Sequence, residues 1–176
     1  YDIRTSWSVK EHIEELGGTT HMWKVGHAYA KLKLREIDGI CGGELAGHYY
    51  FKDFFYCDSG LLTAMVVLNV LARLKEKGKS ISELIADLDR YYSSGEINFK
   101  IENKKKMMDK LKDYYFNKKE PEEFYDFDGY RIEYDKWWFN VRPSNTEPYL
   151  RLVVEAANKE LLDKKVNEIK KLIKSE

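Results

Sequence analysis

Hydrophobic positions recur along this chain with two periods, and the switch between them divides it. The helical period dominates the first half. Val9, Ile13 and Leu16 lie three and four apart, which predicts a helix over residues 7–16 ended by Gly17-Gly18. A second helix is expected over residues 26–35. Residues 1–5, 19–23 and 40–43 read as short strands around these helices, a βαβαβ rhythm that implies helices layered on a sheet. Residues 59–77 carry the clearest helix. Leu61, Leu62, Met65, Val66, Leu68, Val70 and Leu71 make it apolar over most of its circumference, so it is expected to be well buried. Gly78 stops it, and Ser80-Ile81-Ser82-Glu83 forms a capping box for a following helix with Leu84, Ile85 and Leu88.

Ser93-Ser94-Gly95 is the expected linker. Beyond it, residues 96–101 alternate as a strand. Residues 103–117 predict a Lys-rich helix with Met107, Met108, Leu111 and Tyr115 inward. Pro121-Glu122-Glu123 reads as an acidic loop and Asp128-Gly129 as a turn. Tyr130, Ile132 and Tyr134 alternate with polar residues, and residues 137–141 and 149–156 give two further strands. A last helix from about residue 159 turns Leu161, Leu162, Val166, Ile169, Leu172 and Ile173 to one side. The order β-α-β-β-β-α describes a small α+β domain. The fold class is therefore α/β followed by α+β, divided as residues 1–92, a linker at 93–95, and residues 96–176.

Composition narrows the picture only a little. The chain has 176 residues, which suits one full domain or two small ones. Thirty Lys+Arg balance thirty Asp+Glu, which argues against a dedicated nucleic-acid binder. The basic run Lys104-Lys105-Lys106 with Lys110, Lys112, Lys118 and Lys119 reads as a solvated helix face beside Tyr114 and Tyr115. No apolar run approaches the roughly 18–20 residues of a membrane span, and no signal-peptide pattern opens the chain. Cys41 and Cys57 form neither a CxxC pair nor a zinc array, so a cytoplasmic setting is expected. No cluster has metal-ligand spacing. The chain opens at Tyr1, without Met, within a predicted strand, and a piece of something longer is expected.

Two segments concentrate chemistry. Arg142-Pro143-Ser144-Asn145-Thr146-Glu147-Pro148 joins two predicted strands. Arg142 offers a planar fork suited to phosphate oxygens, Ser144 and Thr146 offer hydroxyls, and Asn145 an amide. Such a loop can cradle an anion on its backbone N–H groups, or it can be a turn held by its own side chains. Gly42-Gly43-Glu44-Leu45-Ala46-Gly47-His48 is the second segment. Its glycines permit close approach of a ligand, Glu44 can accept from two adjacent sugar hydroxyls, and His48 can exchange a proton near neutral pH. A glycine hairpin with a surface Glu and a hydrogen-bonded His is the plainer alternative.

Arg-Pro-Ser-Asn-Thr-Glu-Pro, followed by Tyr-Leu-Arg, resembles the phosphate-binding loop of the α-D-phosphohexomutases, which include phosphomannomutase and phosphoglucomutase. The resemblance puts Arg142, Ser144, Asn145 and Thr146 on the phosphate that is not being transferred. Gly43 and Glu44 through His48 resemble the family's sugar loop, usually Gly-Glu-x-Ser-Gly-His, with Ala46 standing where Ser is common. It implies that Glu44 reads ring hydroxyls and that His48 transfers a proton. Tyr49-Tyr50-Phe51 and Asp58-Ser59-Gly60 continue the likeness. Lys24-Val25-Gly26-His27 resembles the family's Lys-x-Gly-His segment, which would put Lys24 at the sugar and His27 near the reacting centre. Arg4 matches a basic residue that faces the ligand. His12 and His21 match no motif and read as surface residues.

The resemblance implies most of a three-layer α/β domain 3 with a mixed sheet, then a TBP-like domain 4. The family's phosphoserine loop and its Asp-Gly-Asp-Gly-Asp magnesium loop have no counterpart in this sequence; Asp87-Leu88-Asp89 lies in a predicted helix. The implied parent is a mutase of hexose 1- and 6-phosphates, working with Mg2+ and through a glucose or mannose 1,6-bisphosphate. This chain is then expected to hold the hexose phosphate and to be inactive without the N-terminal half of the same enzyme. A self-sufficient, non-catalytic phosphosugar-binding module is the alternative. No nucleic acid and no membrane are expected as partners.

Overall fold

In the computed structural model, which describes residues 1–144 and 147–175, the chain folds as two units, Tyr1–Arg90 and Tyr91–Glu176. The first begins with Asp2, which forms a parallel bridge to Trp23. The strands expected over residues 1–5 and 19–23 shrink to that single bridge. The cause is Asp2 itself: its carboxylate takes the Arg4 N–H and its carbonyl takes the Thr5 N–H, turning the chain after one pair. Helix α1 (Trp7–Glu15) then starts at Ser6, whose hydroxyl accepts the Ser8 N–H. Helix α2 (His27–Glu36) leads into β1 (Cys41–Gly43). β2 (Tyr49–Phe51), a 3-10 turn (Lys52–Phe54) and β3 (Cys57–Asp58) follow. These strands form an antiparallel sheet in the order β1-β2-β3, so both pairing senses are present in this unit.

α3 (Gly60–Glu76) is capped by Ser59, and α4 (Ile81–Leu88) carries the full Ser80–Glu83 capping box. The burial expected of α3 is corrected by the structure: none of its described residues is buried, and Leu61, Met65 and Leu68 are 80%, 60% and 59% exposed. A sheet of three short strands is too small to cover it. The buried apolar core of this unit is Ile3, Leu34 and Tyr50.

The second unit is built on a six-stranded sheet. β4 (Tyr92–Ser93) and β5 (Ile97–Lys100) both pair with β9 (Tyr149–Ala156). Between them the Ser94 N–H donates to the Val154 carbonyl, and the Ser94 hydroxyl accepts the Val154 N–H, each at 2.9 Å. The segment expected as a linker is thus tied to the sheet. After α5 (Lys104–Lys118) come β6 (Glu123–Tyr125), β7 (Tyr130–Tyr134) and β8 (Trp137–Pro143), and α6 (Lys159–Lys174) closes the chain. The order is β4-β9-β8-β7-β6, antiparallel throughout. Glu123, expected in a loop, opens the edge strand β6 by pairing with Glu133.

Alternation along β7 and β8 separates two faces. Ile132, Tyr134, Trp137, Phe139 and Val141 join Leu150, Leu152 and Val154 under Met107, Leu111 and Tyr115 of α5 and Leu162, Ile169 and Ile173 of α6. The rings of Tyr134, Trp137 and Phe139 stack in series. The opposite face is polar yet buried. The Arg131 guanidinium lies 3.6 Å from the Trp138 ring centre, and Trp138 Nε1–H donates to Glu155 at 2.8 Å. Arg142 continues this face at the end of β8. Several lysines of α5 are spent on acids and carbonyls: Lys105 on Asp109, Lys118 on Glu168, Lys110 on the Leu172 carbonyl.

Candidate functional site

In the first unit the sugar-loop residues sit on the tight turn between β1 and β2. Gly47 N–H donates to the Glu44 carbonyl, with Gly47 at φ 86°, and Glu44 N–H donates to the His48 carbonyl. A residue with a Cβ is strained at that φ, so the glycine lets the chain reverse here. Gly43 pairs with Tyr49 across the hairpin, and a Cβ on it would press the Tyr49 ring at 3.3 Å.

Three distant segments meet at this turn. Glu44 is buried, and each carboxylate oxygen is occupied: Oε1 accepts the Tyr50 hydroxyl at 2.5 Å, and Oε2 the Gly26 N–H at 3.2 Å. The second bond ties the segment of Lys24 and His27 to the turn. Burial and the Glu44 hydrogen bond push the Tyr50 hydroxyl pKa well up, so it stays a donor. Asp2 binds the turn from the other side by accepting the Leu45 N–H at 2.8 Å. Arg4, expected to face the ligand, is buried with its guanidinium on Asp2, NH2 to Oδ2 at 2.8 Å. In this unit it acts through Asp2 on the backbone of the turn. Lys24 lies 5.7 Å from the Tyr29 ring centre.

His48 follows the turn and is about half exposed. Its Nδ1 is 2.5 Å from Asp58 Oδ2, while Asp58 Oδ1 accepts the Tyr49 N–H at 3.1 Å. The pair perturbs itself in opposite directions. The hydrogen bond to Asp58 raises the His48 pKa against a smaller burial effect, and the same bond holds the Asp58 carboxyl below its ordinary value. His27, exposed at the start of α2, adds its charge to the lowering of Asp58. The structure thus gathers Gly43, Glu44, His48 and His27 into one neighbourhood.

The second unit holds the phosphate-loop residues. Arg142 is buried, and its Nε donates to Asp128 Oδ1 at 3.3 Å. Gly129 makes this closeness possible: at φ 69°, a Cβ there would lie 2.4 Å from the Val141 carbonyl and 2.5 Å from Arg142 Cβ. Ser144 opens the loop, its N–H donating to the Tyr149 carbonyl at 2.8 Å and its hydroxyl accepting the Glu147 N–H at 3.2 Å. Arg151 NH2 binds Glu147 at 2.8 Å. Asn145 and Thr146 lie outside the described residues. A preset guanidinium beside a turn closed by its own serine can receive an anion with little reordering.

Sequence reasoning named the loops but not the groups that fix them. Tyr50, Asp58, Asp128 and Asp2 were visible only as part of a likeness, a turn or a strand. The usable signal was the acidic residue opening each supporting segment, Asp58 before Ser59-Gly60 and Asp128 before Gly129.

The family models for phosphoglucomutase/phosphomannomutase match along the chain: the alpha/beta/alpha domain III over residues 1–91 and the C-terminal domain over residues 96–172. A phosphomannomutase of Methanocaldococcus jannaschii is 42% identical over 173 residues, covering 98% of this chain and 37% of its own. A phosphomannomutase of Vibrio cholerae is 40% identical, covering 99% and 37%. The crystal structure of a phosphoglucomutase/phosphomannomutase family protein from Burkholderia thailandensis superposes with a TM-score of 0.81 at 31% identity, over 99% of this chain and 36% of that one. The chain therefore spans little more than a third of the length of these relatives.

Proposed function

Since the chain belongs to the phosphoglucomutase/phosphomannomutase family, we propose that it supplies the ring-holding and phosphate-holding parts of a mutase that interconverts hexose 1- and 6-phosphates. The observation that carries the reading is Arg142, buried and preset on Asp128 at the mouth of a serine-closed loop. With Asn145 and Thr146 this loop holds the phosphate that is not moving. Such a site reads charge and shape, so it accepts either end of a bisphosphorylated sugar, glucose or mannose 1,6-bisphosphate, that turns over between two transfers. Glu44, with Gly43 and Lys24, anchors the ring, and His48 and His27 handle protons at the hydroxyls.

The chemistry of transfer belongs to the rest of the longer protein. Among the described residues no group of three or more His, Cys, Asp or Glu side chains could hold a metal ion. The described residues therefore offer no donor set for Mg2+. By itself the chain binds without turnover. Among the described residues no helix is long and apolar enough to cross a membrane. The exposed apolar side of α3, with Leu61, Met65 and Leu68, is then the face on which the remaining part of the enzyme packs.

An NMR titration of this chain with mannose 1-phosphate, glucose 6-phosphate and inorganic phosphate tests the reading. Amides of residues 142–147 and 43–48 should both shift with the sugar phosphates, and Arg142→Ala should abolish the shifts in the first loop. Equal response to plain phosphate, confined to residues 142–147, would reduce the site to an anion nest.

A further inference from the structure

We propose that Asp58 is the positioning residue of His48: it fixes the imidazole through Nδ1 and so makes Nε2 the atom that meets the substrate. Both oxygens of Asp58 are committed, Oδ2 to His48 Nδ1 at 2.5 Å and Oδ1 to the Tyr49 N–H at 3.1 Å. An ionised carboxylate only accepts, so Nδ1 must carry the proton. In the neutral ring the lone pair then lies on Nε2, and in the charged ring Nε2 carries the exchangeable proton.

The placement is rigid where it has to be. Asp58 sits on β3 opposite Tyr50 of β2 and accepts the N–H of Tyr49, the residue after His48, so the ladder anchors the carboxylate beside the imidazole. His48 is about half exposed, and without such a tether its ring would rotate freely. The other titratable groups here leave that tether intact. Glu44, on the turn, is held by Tyr50 and Gly26, and it adds to the preference for a charged His48. His27, at the start of α2, acts on Asp58 only through its charge.

The catalytic part of this inference rests on the mutase reading; the tautomer part does not. When a sugar hydroxyl receives the phosphoryl group, its O–H bond breaks, its oxygen bonds phosphorus, and the bond from phosphorus to the donor oxygen of the rest of the enzyme breaks. The released proton goes to Nε2, and Asp58 keeps its charge and balances the imidazolium. The reverse transfer returns the proton.

The first measurement is 15N NMR of the imidazoles in this chain. His48 should show Nδ1–H in its neutral form and a titration midpoint above the ordinary imidazole value. Asp58→Asn should lower that midpoint. An Nε2–H tautomer in the unaltered chain, or a midpoint that ignores Asp58→Asn, overturns the proposal. Should the Asn variant lose its folded amide spectrum, the unaltered chain's tautomer and Asp58→Glu decide. The second measurement uses the full-length mutase that carries this segment. Asp58→Asn should lower kcat roughly tenfold to a hundredfold with KM changed less than about threefold, Asp58→Glu recovering part of it. The His-dependent limb of the pH profile should move in the sense seen by NMR. A KM effect with an unmoved pH profile would make Asp58 merely structural and overturn the proposal. A full-length protein without mutase activity would sink the functional reading instead, while the tautomer still decides the pairing.

Discussion

Tyr50 is buried and hands its only proton to Glu44, so one hydroxyl holds the residue assigned to the sugar ring. Tyr50→Phe keeps the ring's packing and removes that donor. It is expected to cost about 1–2 kcal/mol in urea denaturation. Glu44→Ala should cost more, because it strands a buried hydroxyl and frees the Gly26 N–H as well. The order of the two losses checks the assignment. Glu44 itself was legible as an acceptor beside glycines. Its partner was not, because a contact six residues away depends on strand register, which polarity patterns do not report. The same holds for Asp58, ten residues from His48, and for Asp128, fourteen from Arg142.

Helices α5 and α6 were legible because each has one apolar side and one charged side. Met107, Met108, Leu111 and Tyr115 lie inward as their spacing demands. α3 was legible as a helix but not in its surroundings: an apolar surface all round says that something covers it, not what. In this chain the covering is absent on the described side, so polar replacements there should be harmless. Leu68→Glu is expected to change stability by less than about 0.5 kcal/mol in thermal unfolding. It should also reduce self-association in light scattering. A loss of several kcal/mol would mean that Leu68 is buried in solution. The short strands β2, β3, β4 and β6 escaped the sequence reading because two or three residues cannot display a period.

At the scale of the whole molecule, two units with unequal cores follow one another. The first buries Ile3, Leu34 and Tyr50, whereas the second buries a continuous cluster across two helices and a sheet. Denaturation should therefore be biphasic, with the second unit the later to unfold. Phe139→Ala should lower only the later transition, by about 3–5 kcal/mol. Hydrogen exchange of β8 and β9 amides against those of β1 and β2 checks the assignment. The attachment at Ser94 was not legible, since a serine before a glycine reads as loose chain. That attachment has a mechanical meaning. Tension entering the second unit from Arg90 reaches β4 at its free end, where Tyr92 pairs with Ala156. The rungs then open singly, as a zipper does, and the two hydrogen bonds between Ser94 and Val154 are a catch halfway along. A pull on the chain is absorbed at this seam before it reaches the packed rings beneath.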